Sequence, residues 1–181
     1  SVLVLGSSAP IVASGIQYTL ELVEAGKIVD TTICLLAGER ALIPQERAYM
    51  EGRWGVSGLN DEREMMQALG EKILEGKSWK ISLAEKKEGA PRATTEDTIR
   101  QWLQDFPAEN SSKHLLISQQ PFCDYQHLIA VLIIQDIEGK DFTFDCAGRG
   151  VSEQHKALPN AVSLVLDSIA HVLYFYEKVA V

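Results

Sequence analysis

Apolar residues fall along this chain in two alternating rhythms, short continuous runs and longer stretches with helical spacing. Val2-Leu3-Val4-Leu5 is a run closed by Gly6-Ser7-Ser8, as expected of a strand buried on both faces of a parallel sheet. Val12, Ile16, Leu20 and Val23 then recur on one helical face up to Gly26, and Thr32 to Ala37 forms a second apolar run ended by Gly38-Glu39-Arg40. Across 41–59 the pattern loosens, with Pro44, Gly52, Gly55 and Gly58 interrupting it, which predicts a long loop with one helical turn near 45–50. Tyr49, Met50 and Trp54 make that loop a candidate contact surface.

A helix resumes with Asp61 as cap and Glu64 at its third position, carrying Met66, Leu69 and Ile73 inward and ending near Gly76. A third strand is expected over 79–83. Thr94 and Asp97 then form a capping-box pair ahead of Ile99, Trp102, Leu103 and Phe106, an apolar stripe at helical spacing. His114-Leu115-Leu116-Ile117 predicts the fourth strand, and Phe142 to Cys146 the fifth, closed by Gly148-Arg149-Gly150. The segment 125–137 fits a helix by Leu128, Ile129, Leu132 and Ile133 and a strand by its β-branched content. The established strand-helix-strand rhythm favours helix. Pro159 opens a last helix expected to turn Val162, Val165, Leu166, Ile169, Val172, Leu173 and Tyr176 inward; Asp167 and His171 break its apolar run, so it reads as docked rather than membrane-spanning. The fold expected is one α/β domain over 1–181, a Rossmann-like open sheet of about five mainly parallel strands with helices on both faces.

Composition narrows function more than fold. A net charge of -8 with no cluster of Lys or Arg argues against a sequence-independent grip on nucleic acid or on anionic membrane; Lys86-Lys87 is flanked by Glu85 and Glu88. Cys34, Cys123 and Cys146 are odd in number and widely spaced, and they read as small core residues rather than a disulfide framework or zinc site. Reduced cysteines favour a cytoplasmic location, with envelope association if a segment preceding Ser1 has been removed.

In open parallel sheets, ligands bind beyond the carboxyl ends of the strands. Those ends supply the candidate ligand-binding residues Gly6, Ser7, Ser8, Gly38, Glu39, Ser118 and Gln119, joined by Glu62 and by Thr94, Glu96 and Asp97 at two helix starts. No P-loop, full G-x-G-x-x-G fingerprint or G-x-S-x-G elbow is present, so neither an ATP nor a nicotinamide site is supported and no catalytic residue is assigned. His127 is the one histidine placed near this edge, and a structural role suits it better. The carboxylates lack the convergent spacing of a cation site, so no metal is assigned, although a metal-assisted hydrolase using them is a third alternative. Glu96 and Asp97 also have a structural role, since acids in a first turn complement the helix dipole by about 0.3–1 kcal/mol each. An acidic rim of this kind disfavours a phosphate-rich ligand.

The order of these pieces resembles the SanA/YdcF-like family of bacterial α/β proteins. The resemblance is carried by Leu5-Gly6-Ser7, Leu36-Ala37-Gly38, Asp61-Glu62-Arg63 before Met65, Thr94-Thr95-Glu96-Asp97, Ile117-Ser118-Gln119 and Pro159 onward. Asp97 stands where the family has Asn, 122–126 lacks the family's His and Arg, and no arginine lies in the helix after Gly6-Ser7-Ser8. The resemblance implies a Rossmann-like fold, a bacterial protein linked to envelope physiology, and S-adenosylmethionine as a ligand, as attributed to at least one member. The alternative is a diverged, non-catalytic member that acts through protein partners.

Overall fold

The structure is a computed structural model that describes residues 1–109, 111–137, 141–149 and 161–179. By compactness the chain divides into Ser1–Pro107 and Ala108–Val181, taken here in turn. In the first unit, β1 (Val2–Leu5), β2 (Ile33–Gly38) and β3 (Trp79–Ala84) alternate with helices α1 (Ala9–Glu24), α2 (Pro44–Trp54), α3 (Glu62–Ile73) and α4 (Thr95–Asp105). β2 pairs in parallel with both other strands, Val4 opposite Leu35 and Leu35 opposite Ile81. Its residues are buried from end to end, as its unbroken apolar run requires of a strand covered on both faces.

Helices do cover both faces of this sheet. Cys34 lies beside Trp102 of α4, whereas its neighbour Leu35 packs against Gly70 of α3. Successive strand side chains point to opposite faces, so α3 and α4 lie on opposite sides, with α1 packed beside α3. Gly70 lets α3 sit close: a Cβ there would stand 2.8 Å from the Trp79 ring. Both helix starts expected from the sequence form. Asp61 accepts from Glu64 N at 2.9 Å, while Thr94 N donates to Asp97 Oδ2 at 2.8 Å and Asp97 N donates to Thr94 Oγ1 at 3.3 Å.

The stretch 41–59 departs from expectation. Instead of a loop with one turn it holds the 11-residue helix α2, opened by Pro44 and closed by Gly55 in the left-handed conformation at φ 66°. Gly52 sits inside the helix, where its cost of about 1 kcal/mol against Ala does not outweigh burial of Met50, which is fully enclosed. Met50 is therefore core rather than contact surface.

In the second unit, β4 (Lys113–Gln119) and β5 (Thr143–Arg149) pair in parallel, Leu116 opposite Cys146. α5 (Cys123–Gln135) packs on both strands, so the ambiguous segment is a helix, and α6 (Ala161–Val179) packs on α5. Gly148 and Arg149 lie within β5 rather than closing it. Gly150, His155 and Pro159 fall outside the described residues.

The last helix corrects a second expectation. Val162, Val165, Leu166, Ile169, Leu173 and Tyr176 are exposed, Leu166 at 60% and Leu173 at 66%, while Ser168 is the buried residue, its hydroxyl donating to Pro121 O at 2.6 Å. His171, on the same helix, is also exposed and bonds to Asp167 O at 2.8 Å. Periodicity tells which residues share a face but not which way that face is turned. Here the face that is turned inward carries Leu164, Ser168, Val172 and Phe175, the least exposed residues of the helix. Taken together, five strands in parallel pairings alternate with the helices of an α/β protein.

Candidate functional site

At the carboxyl ends of β1 and β2 three charged side chains converge. Arg40 lies two residues past the end of β2; its guanidinium donates to Glu46 Oε1 and Oε2 at 2.8 Å each, to Ser7 O at 2.7 Å, and through Nε to Glu62 Oε2. Glu46, in the first turn of α2, also accepts from Ala9 N at 3.2 Å and Ile43 N at 3.1 Å. Glu62, the first residue of α3, accepts from Gly38 N at 2.8 Å. One buried ion cluster thus ties together the β1–α1 turn, the end of β2 and the starts of α2 and α3.

The glycines at the strand ends make room for it. A Cβ on Gly6 would lie 2.0 Å from Glu62 Oε1 and 2.9 Å from Leu36 O, a collision no side-chain rotation relieves. At Gly38 the added Cβ would meet Ala93 at 3.2 Å, so the chain entering α4 crosses the same edge.

Charge and burial act differently on the two acids. Both Glu46 and Glu62 are almost fully buried and sit at helix N-termini, which favour an anion. Burial pushes the Glu62 carboxyl above the ordinary range, and its bonds to Gly38 N and Arg40 only partly offset that. Burial acts the same way on Glu46, but the two-pronged bond from Arg40 and the N–H groups of Ile43 and Ala9 outweigh it and hold that carboxyl below the ordinary range. The Glu46 hydrogen bond in turn raises the affinity of Arg40 for its proton, against burial. With all three groups charged, the triad carries one negative charge that Arg40 does not neutralise.

Of the sequence-predicted residues, Gly6, Ser7, Gly38 and Glu62 belong to this cluster. Ser8 borders it: its carbonyl accepts from Ile11 N at 2.9 Å and Val12 N at 3.0 Å, opening α1. Glu39, Thr94, Glu96 and Asp97 are engaged with bases or caps. Glu39 Oε2 accepts from Lys86 N at 3.1 Å, Asp97 pairs with Lys87 Nζ at 3.1 Å, and Glu96 pairs with Arg100 Nε at 2.8 Å. Burial would raise the Asp97 carboxyl, but the bonds from Thr94 and Lys87 hold it below its ordinary value. The expected acidic rim is thus largely compensated by Lys86, Lys87, Arg40 and Arg100.

Arg40 and Glu46 carry the cluster, and the sequence reading did not select them. The available signal was modest: an arginine two residues after a buried strand, and a glutamate at the third position of a helix opened by proline, where an acid is also an ordinary cap.

Ser118 and Gln119 lie in the second unit. The Ser118 hydroxyl bonds to Gln126 Oε1, and Gln119 O accepts from Phe122 N at 2.8 Å. His127 Nε2 bonds to Phe144 O at 2.8 Å, the structural role expected of it. His114, inside β4, touches Phe142 and Phe144, and burial lowers its pKa to about 4, leaving a neutral ring. Among the described residues no group of three or more His, Cys, Asp or Glu could hold a metal ion, and no helix is long and apolar enough to cross a membrane.

Fold and cluster together define a parallel α/β protein whose first unit carries a buried, net-negative ion triad at its strand ends. The chain matches no family model, no curated protein and no solved structure.

Proposed function

We propose that this protein binds a small neutral or cationic metabolite containing adenine, with S-adenosylmethionine the leading candidate, at the carboxyl edge of the first unit's sheet. The observation that carries the reading is the triad. Burying three charged groups costs several kcal/mol per ion before their mutual attraction is counted, and an apolar cluster would close these turns without that cost. Two carboxyls whose surroundings drive their proton affinities apart are characteristic of working sites. The net negative charge of the triad, partly offset by Arg92, favours a sulfonium or ammonium group nearby, and the donors of Arg40 are committed to Glu46, Glu62, Ser7 and the Ala41 carbonyl, which leaves that guanidinium nothing to offer a phosphate. The likeness of the strand ends to the SanA/YdcF-like family points to the same ligand. No reaction is part of this reading.

Thermal-shift and calorimetric titrations with S-adenosylmethionine, S-adenosylhomocysteine, adenosine and ATP test it. The sulfonium compound should bind most tightly, stabilising by about 2.7 kcal/mol at a hundredfold excess over Kd, and amide resonances of Gly6 to Ser8, Gly38 and Thr94 to Asp97 should shift. Stabilisation by ATP with none by S-adenosylmethionine would sink the proposal.

A second reading, action through a protein partner, is favoured by α6. Its exposed Val162, Leu166, Ile169, Leu173 and Tyr176 alternate at spacings of four and three, the seam of a two-stranded coiled coil. The flanking Ser163, Val165, Ala170 and Val172 are uncharged and Glu177 is the one acid beside the seam, so two copies of the helix meet with little repulsion, and we take a second copy of this chain as the occupant. A membrane surface is less suited, because Lys178 is the one basic side chain among the described residues of α6. Light scattering should show a dimer that Leu166→Glu with Leu173→Glu converts to monomer; a monomer across the accessible concentration range would remove this reading.

A further inference from the structure

Cys123 and Cys146 stand 23 positions apart in sequence yet meet in the second unit. Cys123 is the first residue of α5 and Cys146 the fourth of β5. Side chains at i and i+2 of a strand share a face, so Cys146 and Gly148 lie on the same side of β5. The Cys123 sulfur occupies the space over Gly148, where a Cβ would come within 2.6 Å of it. The Cys146 thiol lies within hydrogen-bonding reach of the Cys123 sulfur. Cys123 is nearly enclosed, at 3% exposure, whereas Cys146 is part-exposed.

We propose that Cys123 and Cys146 form a reversible dithiol–disulfide site, oxidised by a small hydroperoxide that enters beside Cys146.

The chemistry needs one thiolate and one thiol, and the surroundings divide the roles. Hydrogen bonding from the Cys146 thiol lowers the Cys123 pKa against burial and the neighbouring Asp124 carboxylate; hydrogen bonding with Cys123 and burial together raise that of Cys146. Position at the start of α5 further favours the Cys123 anion. The Cys123 thiolate attacks one oxygen of hydrogen peroxide; the O–O bond breaks and the departing hydroxide takes up a proton to leave as water. Cys123 is then a sulfenic acid. The Cys146 sulfur, giving up its proton, attacks the Cys123 sulfur; the S–S bond forms, the S–O bond breaks and a second water leaves. In sum two thiols lose two hydrogens and two electrons, and one peroxide becomes two waters. A dithiol reductant reverses the outcome by thiol–disulfide exchange. Closure draws β5 against the start of α5, next to Pro121 and Asp124. These two residues line an open pocket of about 210 Å³ with Ser168 and Val172 of α6, so oxidation state has a route to that surface.

Cys34 provides an internal control. It lies in the first unit, buried within β2, and burial raises its pKa. The reduced, intact protein is exposed to one equivalent of hydrogen peroxide, quenched with N-ethylmaleimide in denaturant and mapped by mass spectrometry without reductant. The expected product is a single intramolecular disulfide joining the Cys123 and Cys146 peptides, with Cys34 alkylated and full reversal by dithiothreitol. Cys146→Ser should stop at a Cys123 sulfenic acid captured by dimedone, and Cys34→Ser should leave the disulfide unchanged. Alkylation of all three thiols after peroxide, or a disulfide that involves Cys34 or joins two chains, overturns the proposal. Mapping of the wild-type protein decides the matter even if Cys146→Ser does not fold.

Discussion

Arg40 and Glu46 meet fork to fork, each guanidinium terminal nitrogen 2.8 Å from one oxygen of the carboxylate. The pair spans the end of β2 and the start of α2, and only a planar guanidinium can make both bonds at once while its Nε reaches Glu62.

Removing that guanidinium leaves two buried carboxylates facing each other. Arg40→Ala should destabilise the protein by about 3–5 kcal/mol at neutral pH. Arg40→Lys should recover only part of the loss, because an ammonium cannot serve both acids in parallel. Urea midpoints at constant m-value measure both, and an unchanged midpoint in Arg40→Ala would show that the cluster contributes no stability.

The two acids impose opposite pH slopes. Glu46 titrates in the folded state below its ordinary value of 4.5, so its stabilising contribution is complete above that value and is lost as pH falls through the lower folded value. Glu62 titrates above 4.5 when folded; the folded state holds its proton more tightly, and stability falls as pH rises from 4.5 through the raised value. Glu62→Gln should therefore abolish a decline on the neutral side of that point, and Glu46→Gln should abolish a loss on its acid side. Urea midpoints taken across the acid range separate the two, and identical profiles for both variants would contradict the assignment.

Gly6 is required by contact rather than by backbone conformation. Gly6→Ala places a methyl against both Glu62 Oε1 and Leu36 O, and overpacking of this kind costs about 1–3 kcal/mol. Because the Leu36 carbonyl cannot move aside, Gly6→Ala combined with Glu62→Ala should remain less stable than Glu62→Ala alone. Equal thermal midpoints for those two proteins would place the strain elsewhere.

At the start of α4, Thr94→Ala removes one half of the capping box and should cost about 1 kcal/mol. Asp97→Ala removes the other half along with the Lys87 pair, so the two losses should be strongly non-additive in the double variant. If the caps serve structure alone, S-adenosylmethionine affinity measured by calorimetry stays unchanged in Thr94→Ala.

Legibility varied with how local the determining physics is. The apolar runs of β1 and β2, the Asp61 cap and the Thr94–Asp97 box were read correctly because each depends on neighbours within a few residues. The helix at 123–135 was chosen over a strand only through the rhythm of the surrounding elements, since its own residues suit either. α2 was missed because three glycines and a proline within 41–59 resemble loop punctuation, although Pro44 begins the helix and Gly55 ends it. Arg40 and Glu46 were passed over because an ion pair made across a turn leaves no period in the sequence.

By itself, then, the sequence determined the parallel α/β class, the positions of its strands and the capped starts of α3 and α4. These follow from burial periodicity and backbone hydrogen-bond demand, which act over one or two turns of chain. Only the tertiary structure decided that Glu62 enters the space left by Gly6, that Cys123 comes to rest over Gly148 beside Cys146, and that α6 turns its apolar seam outward with Ser168 as its seat. Each of those is a contact between segments remote in sequence, set by how helices pack on strands, and a one-dimensional pattern of polarity carries no record of it.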